Sequence, residues 1–168
     1  MSQDTLTPFK ILFLCTGNSA RSIIAEYSMK RIGKGRFEAY SAGAKPSGTV
    51  NPFAINFLNT MNIDASEASS KSWDALKDIH FDFVITVCDN ARESCPVWPG
   101  QPIIAHWGSE DPAAFEGSDE EKIRLFKKIG IEIQRRIELF CSLPLEKMDK
   151  LKLQEVTSDV GSNATTAA

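Results

Sequence analysis

The run Ile11-Leu12-Phe13-Leu14-Cys15-Thr16-Gly17-Asn18-Ser19-Ala20-Arg21-Ser22 constrains the fold open to this chain more than any other segment. An unbroken apolar stretch ends at a cysteine, small polar residues follow, and a helical pattern starts at once. A buried strand therefore turns through a short loop into a helix. Such a loop points successive backbone N–H groups inward at a helix N-terminus, where the macrodipole favours negative charge, so a tetrahedral oxyanion can sit against the Cys15 sulfur. The same field favours a thiolate at Cys15. Arg21 can fold its planar guanidinium back over the oxyanion and bind two of its oxygens. The spacing from Cys15 to Arg21 alone is weak, since four cysteines and seven arginines in 168 residues produce it by chance in about one such composition out of six. The strand before and the helix after separate an anion cradle from a buried, inert cysteine.

Along the chain, residues 9–14 read as a first strand and residues 22–32 as a helix, with Lys30 and Arg31 in its last turn and Gly33 as a left-handed stop. Residues 37–41 form a second strand closed by Ala42-Gly43. Asn51-Pro52 opens a helix as cap and first residue, with Ala54, Leu58 and Met61 at helical spacing. Residues 81–87 are the clearest strand and deliver Cys88; residues 102–107 are a shorter one that leads to Glu110-Asp111-Pro112. Ser118 and Glu121 make a capping box for a long final helix whose buried stripe is Ile123, Phe126, Ile129, Ile133, Ile137 and Phe140, with Cys141 beside it. Past Leu145 the pattern weakens, and residues 157–168 read as a polar, disordered tail.

Strands alternating with helices imply a parallel sheet with right-handed crossovers and helices on both faces. Ligands of such sheets bind beyond the carboxyl ends of the strands. Cys15, Cys88 and Asp111 each follow a different strand and are expected on that one edge.

The length allows one buried core and is short for two domains: a catalytic domain over residues 1–145 and an extension over 146–168. With 19 basic and 22 acidic residues the net charge is -3, which leaves no basic field for nucleic acid or a membrane surface. No stretch is long and apolar enough to span a bilayer, and Met1-Ser2-Gln3-Asp4-Thr5 lacks the basic start of a secretion signal, so the cytoplasm is the expected compartment. Four cysteines in a chain with an ordinary core suggest catalytic or redox use rather than a disulfide scaffold. His80 and His106, the only histidines, have no chelating spacing; neither a metal site nor a cofactor is expected, and a core or surface role is the reading for both.

Residues 15–22 resemble the anion loop of the low-molecular-weight protein tyrosine phosphatases and of the arsenate reductases that share their fold. The resemblance spans about residues 10–145, with the loop, Cys88, Cys95 and Asp111-Pro112 as its anchors. It implies a flavodoxin-like three-layer α/β sandwich with a four-stranded parallel sheet. It also implies an oxyanion site made of Thr16, Gly17, Asn18, Ser19, Ala20, Arg21 and Ser22, with Cys15 as nucleophile and Ser22 as hydrogen-bond donor to its thiolate. Asp111 would be the general acid, which typically lowers the barrier to expelling an oxygen by a hundredfold or more.

A phosphatase needs one cysteine, because water can hydrolyse its intermediate. Reduction of arsenate needs two electrons, so a second thiol must attack the Cys15–arsenic adduct and a third can resolve the disulfide. In the reductases this chain resembles, a cysteine ending the third strand attacks and another seven residues later completes the relay, matching Cys88 and Cys95. Ala20, where the phosphatases often carry a second loop cysteine, and Ala113-Ala114, where they carry aromatic residues, also favour the reductases. The expected activity is arsenate reduction for detoxification, with phosphate or sulfate as competing oxyanions and thioredoxin or glutaredoxin as reductant. A tyrosine phosphatase and an oxyanion-sensing module are the alternatives; a pure binder has no use for Asp111. Asn18, Glu26 and Ser41 resemble residues that bind potassium in some members, but Lys71 falls where those members use a carboxylate and could supply the positive charge itself.

Overall fold

The computed structural model describes residues 7–166, with side chains through Ser162. The start at Met1-Ser2-Gln3-Asp4-Thr5 and the last two residues of the expected tail lie outside the described residues. Strands β1 (Phe9–Cys15), β2 (Phe37–Gly43), β3 (Phe83–Thr86) and β4 (Ile103–His106) form one parallel sheet in the order β2-β1-β3-β4. Helices α1 (Arg21–Ile32), α2 (Pro52–Thr60) and α3 (Asp89–Ser94) lie in the crossovers, and α4 (Asp119–Cys141) and α5 (Lys150–Thr166) follow β4.

Ile11, Leu12, Phe13 and Leu14 are fully buried because β1 is central, with a strand on either side and protein on both faces. The chain leaves β1 for β2 on one side and returns to β3 on the other, so the strand order reverses between β1 and β3. A crevice opens there at the carboxyl ends. Val87 N–H donates to Leu14 O at 2.9 Å, holding the two exits side by side with Cys15 and Cys88 at their tips.

Phe140 of α4 anchors one face: its ring centroid lies 5.7 Å from Phe37, 5.1 Å from Phe83 and 5.4 Å from Trp107. Phe140→Ala would cost about 3–5 kcal/mol. On the other face Tyr40 meets Phe81 edge-on at 5.2 Å, and Phe81 meets Trp98 at 5.6 Å. The expected caps are present. Asn51 Oδ1 accepts from Phe53 N–H at 2.8 Å, and Ser118 and Glu121 bond each other's backbone N–H at 3.2 and 2.9 Å.

Four expectations need correction. Ile123 is 43% exposed, because Lys122 and Phe126 present the face of α4 that meets the Phe53 ring of α2. Gly33 has φ −99° and is not left-handed; it is small because a Cβ there would lie 2.8 Å from Met29 Sδ and from a Phe37 ring carbon, and the left-handed turn residue is Gly35 at φ +83°. Phe81 and Val87 lie outside β3, although both are buried.

The largest correction is α5. Residues 157–166, expected to be disordered, are helical, and α4 is not the last helix. Polar groups along the β4 edge order this helix: Gln154 Nε2 donates to Ile104 O, Trp107 Nε1 to Thr157 O and Lys150 Nζ to Gln101 O, each at 2.9 Å. Gly161 allows the approach, since a Cβ there would strike His106 O.

Candidate active site

The loop after β1 is defined by where its carbonyls go. Cys15 O accepts from Ala44 N–H, Thr16 O from Lys45 N–H, Gly17 O from Ser47 N–H and Ser70 Oγ, Ser19 O from Asn51 N–H, and Ala20 O from Ile24 N–H, at 2.8–3.2 Å. In a trans peptide N–H and C=O point in opposite directions. With the carbonyls turned outward, the following N–H groups turn toward the Cys15 side, and Asn18 N–H does reach Cys15 Sγ at 3.3 Å. Asn18 holds this curvature in a left-handed conformation at φ 47°. It is fully buried; its Oδ1 accepts from Lys71 N–H at 2.9 Å, and its Nδ2 donates to Ser22 Oγ at 2.8 Å and Ser41 Oγ at 3.0 Å. Gly43 lets β2 close on the loop, because a Cβ there would sit 2.5 Å from Thr16 O.

Two hydroxyls are aimed at two sulfurs in the same way. Asn18 Nδ2 can only donate, so Ser22 Oγ accepts from it and its own proton is free for Cys15 Sγ at 3.0 Å. Across the cavity Asn90 Nδ2 donates to Thr16 Oγ1 at 3.2 Å, which leaves the Thr16 proton for Cys88 Sγ at 3.3 Å. Cys88 is also the N-cap of α3, its sulfur accepting from Ala91 N–H at 3.4 Å.

Arg21 faces the expected general acid. Its Nη1 donates to Ser109 O at 2.9 Å, and its Nη2 lies 3.6 Å from Asp111 Oδ2. Asp111 also begins the turn Pro112–Ala114 by accepting from Ala113 N–H at 3.0 Å. Buried Arg136 of α4 supports this loop from below, its Nη1 donating to Gly108 O at 2.7 Å.

Cys15, Thr16, Arg21, Cys88, Asn90 and Asp111 line one cavity of about 400 Å³, together with Gly17, Ser19 and Ala20 of the loop. The sheet edge thus brings Cys15, Cys88 and Asp111 together as expected. Cys95 stands apart at the C-terminal end of α3. Burial pushes its thiol up, with Trp98 pulling the other way, and its S–H points to Pro96 O at 3.6 Å.

Glu26 and Ser41 lie behind the loop, where Ser41 Oγ donates to Glu26 Oε1 at 2.6 Å. The cation in contact with Glu26 is Lys30, at 2.9 Å. Lys71 instead donates its Nζ to Ser69 O at 2.8 Å, and burial lowers its pKa. Among the described residues no group of three His, Cys, Asp or Glu side chains could hold a metal ion, and no helix is long and apolar enough to cross a membrane. Sequence reasoning missed Asn90 and Arg136. Arg136 carried a readable signal, a charged residue three positions after Ile133 on the buried stripe; Asn90 carried none.

The family model described as low molecular weight phosphotyrosine protein phosphatase matches residues 10–154. The chain belongs to this family. An arsenate reductase of Halalkalibacterium halodurans is 42% identical over 131 residues, 78% of this chain and 94% of that relative. A solved structure described as an arsenate reductase in the phosphate binding state matches with a TM-score of 0.68 at 29% identity, over 80% of this chain and 97% of that one. A low molecular weight protein tyrosine phosphatase from T. tengcongensis matches at 0.64 and 26% identity, over 80% and 99%. The family's fold therefore covers the anion loop, Cys88, Cys95 and Asp111, and the family match ends at residue 154, within α5.

Proposed function

We propose that this chain reduces arsenate to arsenite with three of its own thiols. The observation that carries the reading is the placing of Cys88 beside Cys15, Arg21 and Asp111 in one cavity, with Cys95 at the other end of the helix that Cys88 begins. Arsenate, held by the loop N–H groups and Arg21, is attacked at arsenic by the Cys15 thiolate. Asp111 protonates the oxygen that leaves as water. The Cys88 thiolate then attacks Cys15 Sγ; the sulfur–sulfur bond forms as the sulfur–arsenic bond breaks, and its electron pair stays on arsenic as arsenite. Cys95, as thiolate, attacks Cys88 Sγ and frees Cys15. The Cys88–Cys95 disulfide is returned to dithiol by an external thiol donor, thioredoxin or glutaredoxin, in the reducing conditions of the cytoplasm. The activity would serve arsenic detoxification.

The relay requires α3 to open. Its ends lie about 10 Å apart at roughly 1.5 Å per residue, whereas a disulfide tolerates no more than about 7 Å between Cα atoms. The sulfur that caps α3 is the one that attacks, so disulfide formation at Cys88 removes a cap in the step that precedes opening. Cys95, sheltered as a thiol, becomes a nucleophile when opening exposes it.

Arsenite release by three variants tests this. Cys15→Ser should abolish reduction and any hydrolysis of an aryl phosphate, Cys88→Ser should abolish reduction alone, and Cys95→Ser should release about one arsenite per chain and stop with Cys15 and Cys88 joined. Sustained turnover by Cys88→Ser would sink the relay and leave a phosphatase with redox-protective thiols.

A further inference from the structure

A second cavity, of about 570 Å³, lies on the other side of α3, where Arg92 and Cys95 face Ser158 and Ser162 of α5, with Thr86 and His106 between them. His106 stands in a chain of three polar groups. Its Nδ1 lies 2.8 Å from Thr86 Oγ1 and its Nε2 3.0 Å from Asp89 Oδ1. A carboxylate only accepts, so Nε2 carries the ring proton; Nδ1 is then the acceptor, and the Thr86 hydroxyl donates to it. The order hydroxyl, imidazole, carboxylate is that of a hydrolytic triad. Thr86 is only 1% exposed within β3, however, so its oxygen meets no substrate. The chain of bonds instead joins strands β3 and β4 to the first residue of α3.

We propose that His106 is a positioning residue: through Asp89 it pins the first turn of α3 to the sheet, and so sets how often Cys88 and Cys95 can meet. The proposal rests on the relay described above. A helix of six residues is marginal without tertiary support, so its order depends on such ties. Only Ala91 of α3 is buried. Besides the cap at Cys88, its first turn is held by Asn90 on the anion-loop side and by Asp89 on the His106 side. The ring faces Asp89 and Arg92 from α3 and the Cys95 thiol beyond it; among the described residues α5 brings Ser158, Gly161 and Ser162 to the cavity, none of them charged, and presses Gly161 on the His106 backbone. Burial, then Arg92, hold His106 below its usual range against the pull of Asp89. A pKa lowered in the pinned state means that pinning is complete above the ordinary histidine range and is lost as pH falls through it.

The test uses the reduced full chain without arsenate, carrying His106→Leu, Asp89→Ala or both. Asp89 has 76% of its side chain exposed, so Asp89→Ala leaves the core intact even if His106→Leu does not fold. Amide hydrogen exchange reads residues 89–95 against β3 as internal control. In a Cys15→Ser, Cys141→Ser background, diamide accepts two electrons and two protons from Cys88 and Cys95, and the rate of disulfide closure is followed. Each single substitution should speed exchange and closure about tenfold, and the pair no more than either alone, because both remove the same tie between the sheet and α3, the His106–Asp89 bond. Wild-type protection of residues 89–95, corrected for intrinsic rates, should weaken as pH falls below 6.5, the ordinary histidine value, and that dependence should vanish in His106→Leu. Additive effects of the two substitutions, or exchange and closure at wild-type rates, would overturn the pin. Arsenate turnover that ignores Cys88 would sink the relay and leave the pin, which both readouts measure without arsenate.

Discussion

The anion loop and α3 face each other across one cavity and are held in opposite ways. The loop has its carbonyls taken by donors from four surrounding segments, Asn18 bonded through both side-chain ends, and Gly43 packed against it with no room for a methyl group. Helix α3 has one buried residue and three polar ties on its first turn. A group that must stabilise charge at a fixed point gains from a frame that cannot relax. A thiol that must travel needs a segment whose opening costs little. The cavity joins the two, so in the proposed relay the substrate would meet the rigid wall and the electrons would leave by the pliant one.

The sharpest way to break this contrast is to loosen the rigid side. Gly43→Ala places a Cβ 2.5 Å from Thr16 O, and a shift of the loop by an ångström should lower kcat/KM for arsenate about a hundredfold. Full activity in Gly43→Ala would show that the loop is as adaptable as the helix. Asp111→Asn keeps the shape and removes the proton, so the single-turnover rate of the first step should also fall by about a hundredfold, with arsenate affinity little changed. An unchanged rate would remove Asp111 from the chemistry.

A smaller effect is expected on the pliant side. Asn90→Ala frees the Thr16 hydroxyl to turn away from Cys88, and the loss of one oriented hydrogen bond, about 1 kcal/mol, should slow the Cys88 step about fivefold. Asn90→Asp should slow it further, because a carboxylate accepts the proton that Thr16 otherwise offers to sulfur. Stopped-flow rates of arsenite release under single turnover separate these outcomes from an effect on the first step.

The same division decides how much was legible beforehand. The anion loop could be read residue by residue, since an apolar strand, a cysteine, small residues and a following arginine are local in sequence and each answers a local requirement. The edge shared by Cys15, Cys88 and Asp111 followed from the alternation of strands and helices, which sets the topology of a parallel sheet. What escaped depends on distant partners. The residue that brings a donor to Thr16 is 74 positions away, His106 on β4 meets Asp89 on α3, and α5 owes its order to Gln154, Thr157 and Gly161 meeting β4 and Trp107 while only a short apolar stripe, Leu153, Val156 and Val160, packs on the core. In the sequence His106 reads as a core or surface residue, because two histidines without chelating spacing point to no metal, and a positioning bond leaves no periodic trace.

Hydrogen exchange on the reduced protein and on protein oxidised at Cys88 and Cys95 tests most directly whether a fixed loop works against an opening helix. Protection should fall across residues 89–95 on oxidation, while residues 15–22 and the β3 strand keep theirs. Equal protection of residues 89–95 in the two states, or loss spread through the loop as well, would contradict it.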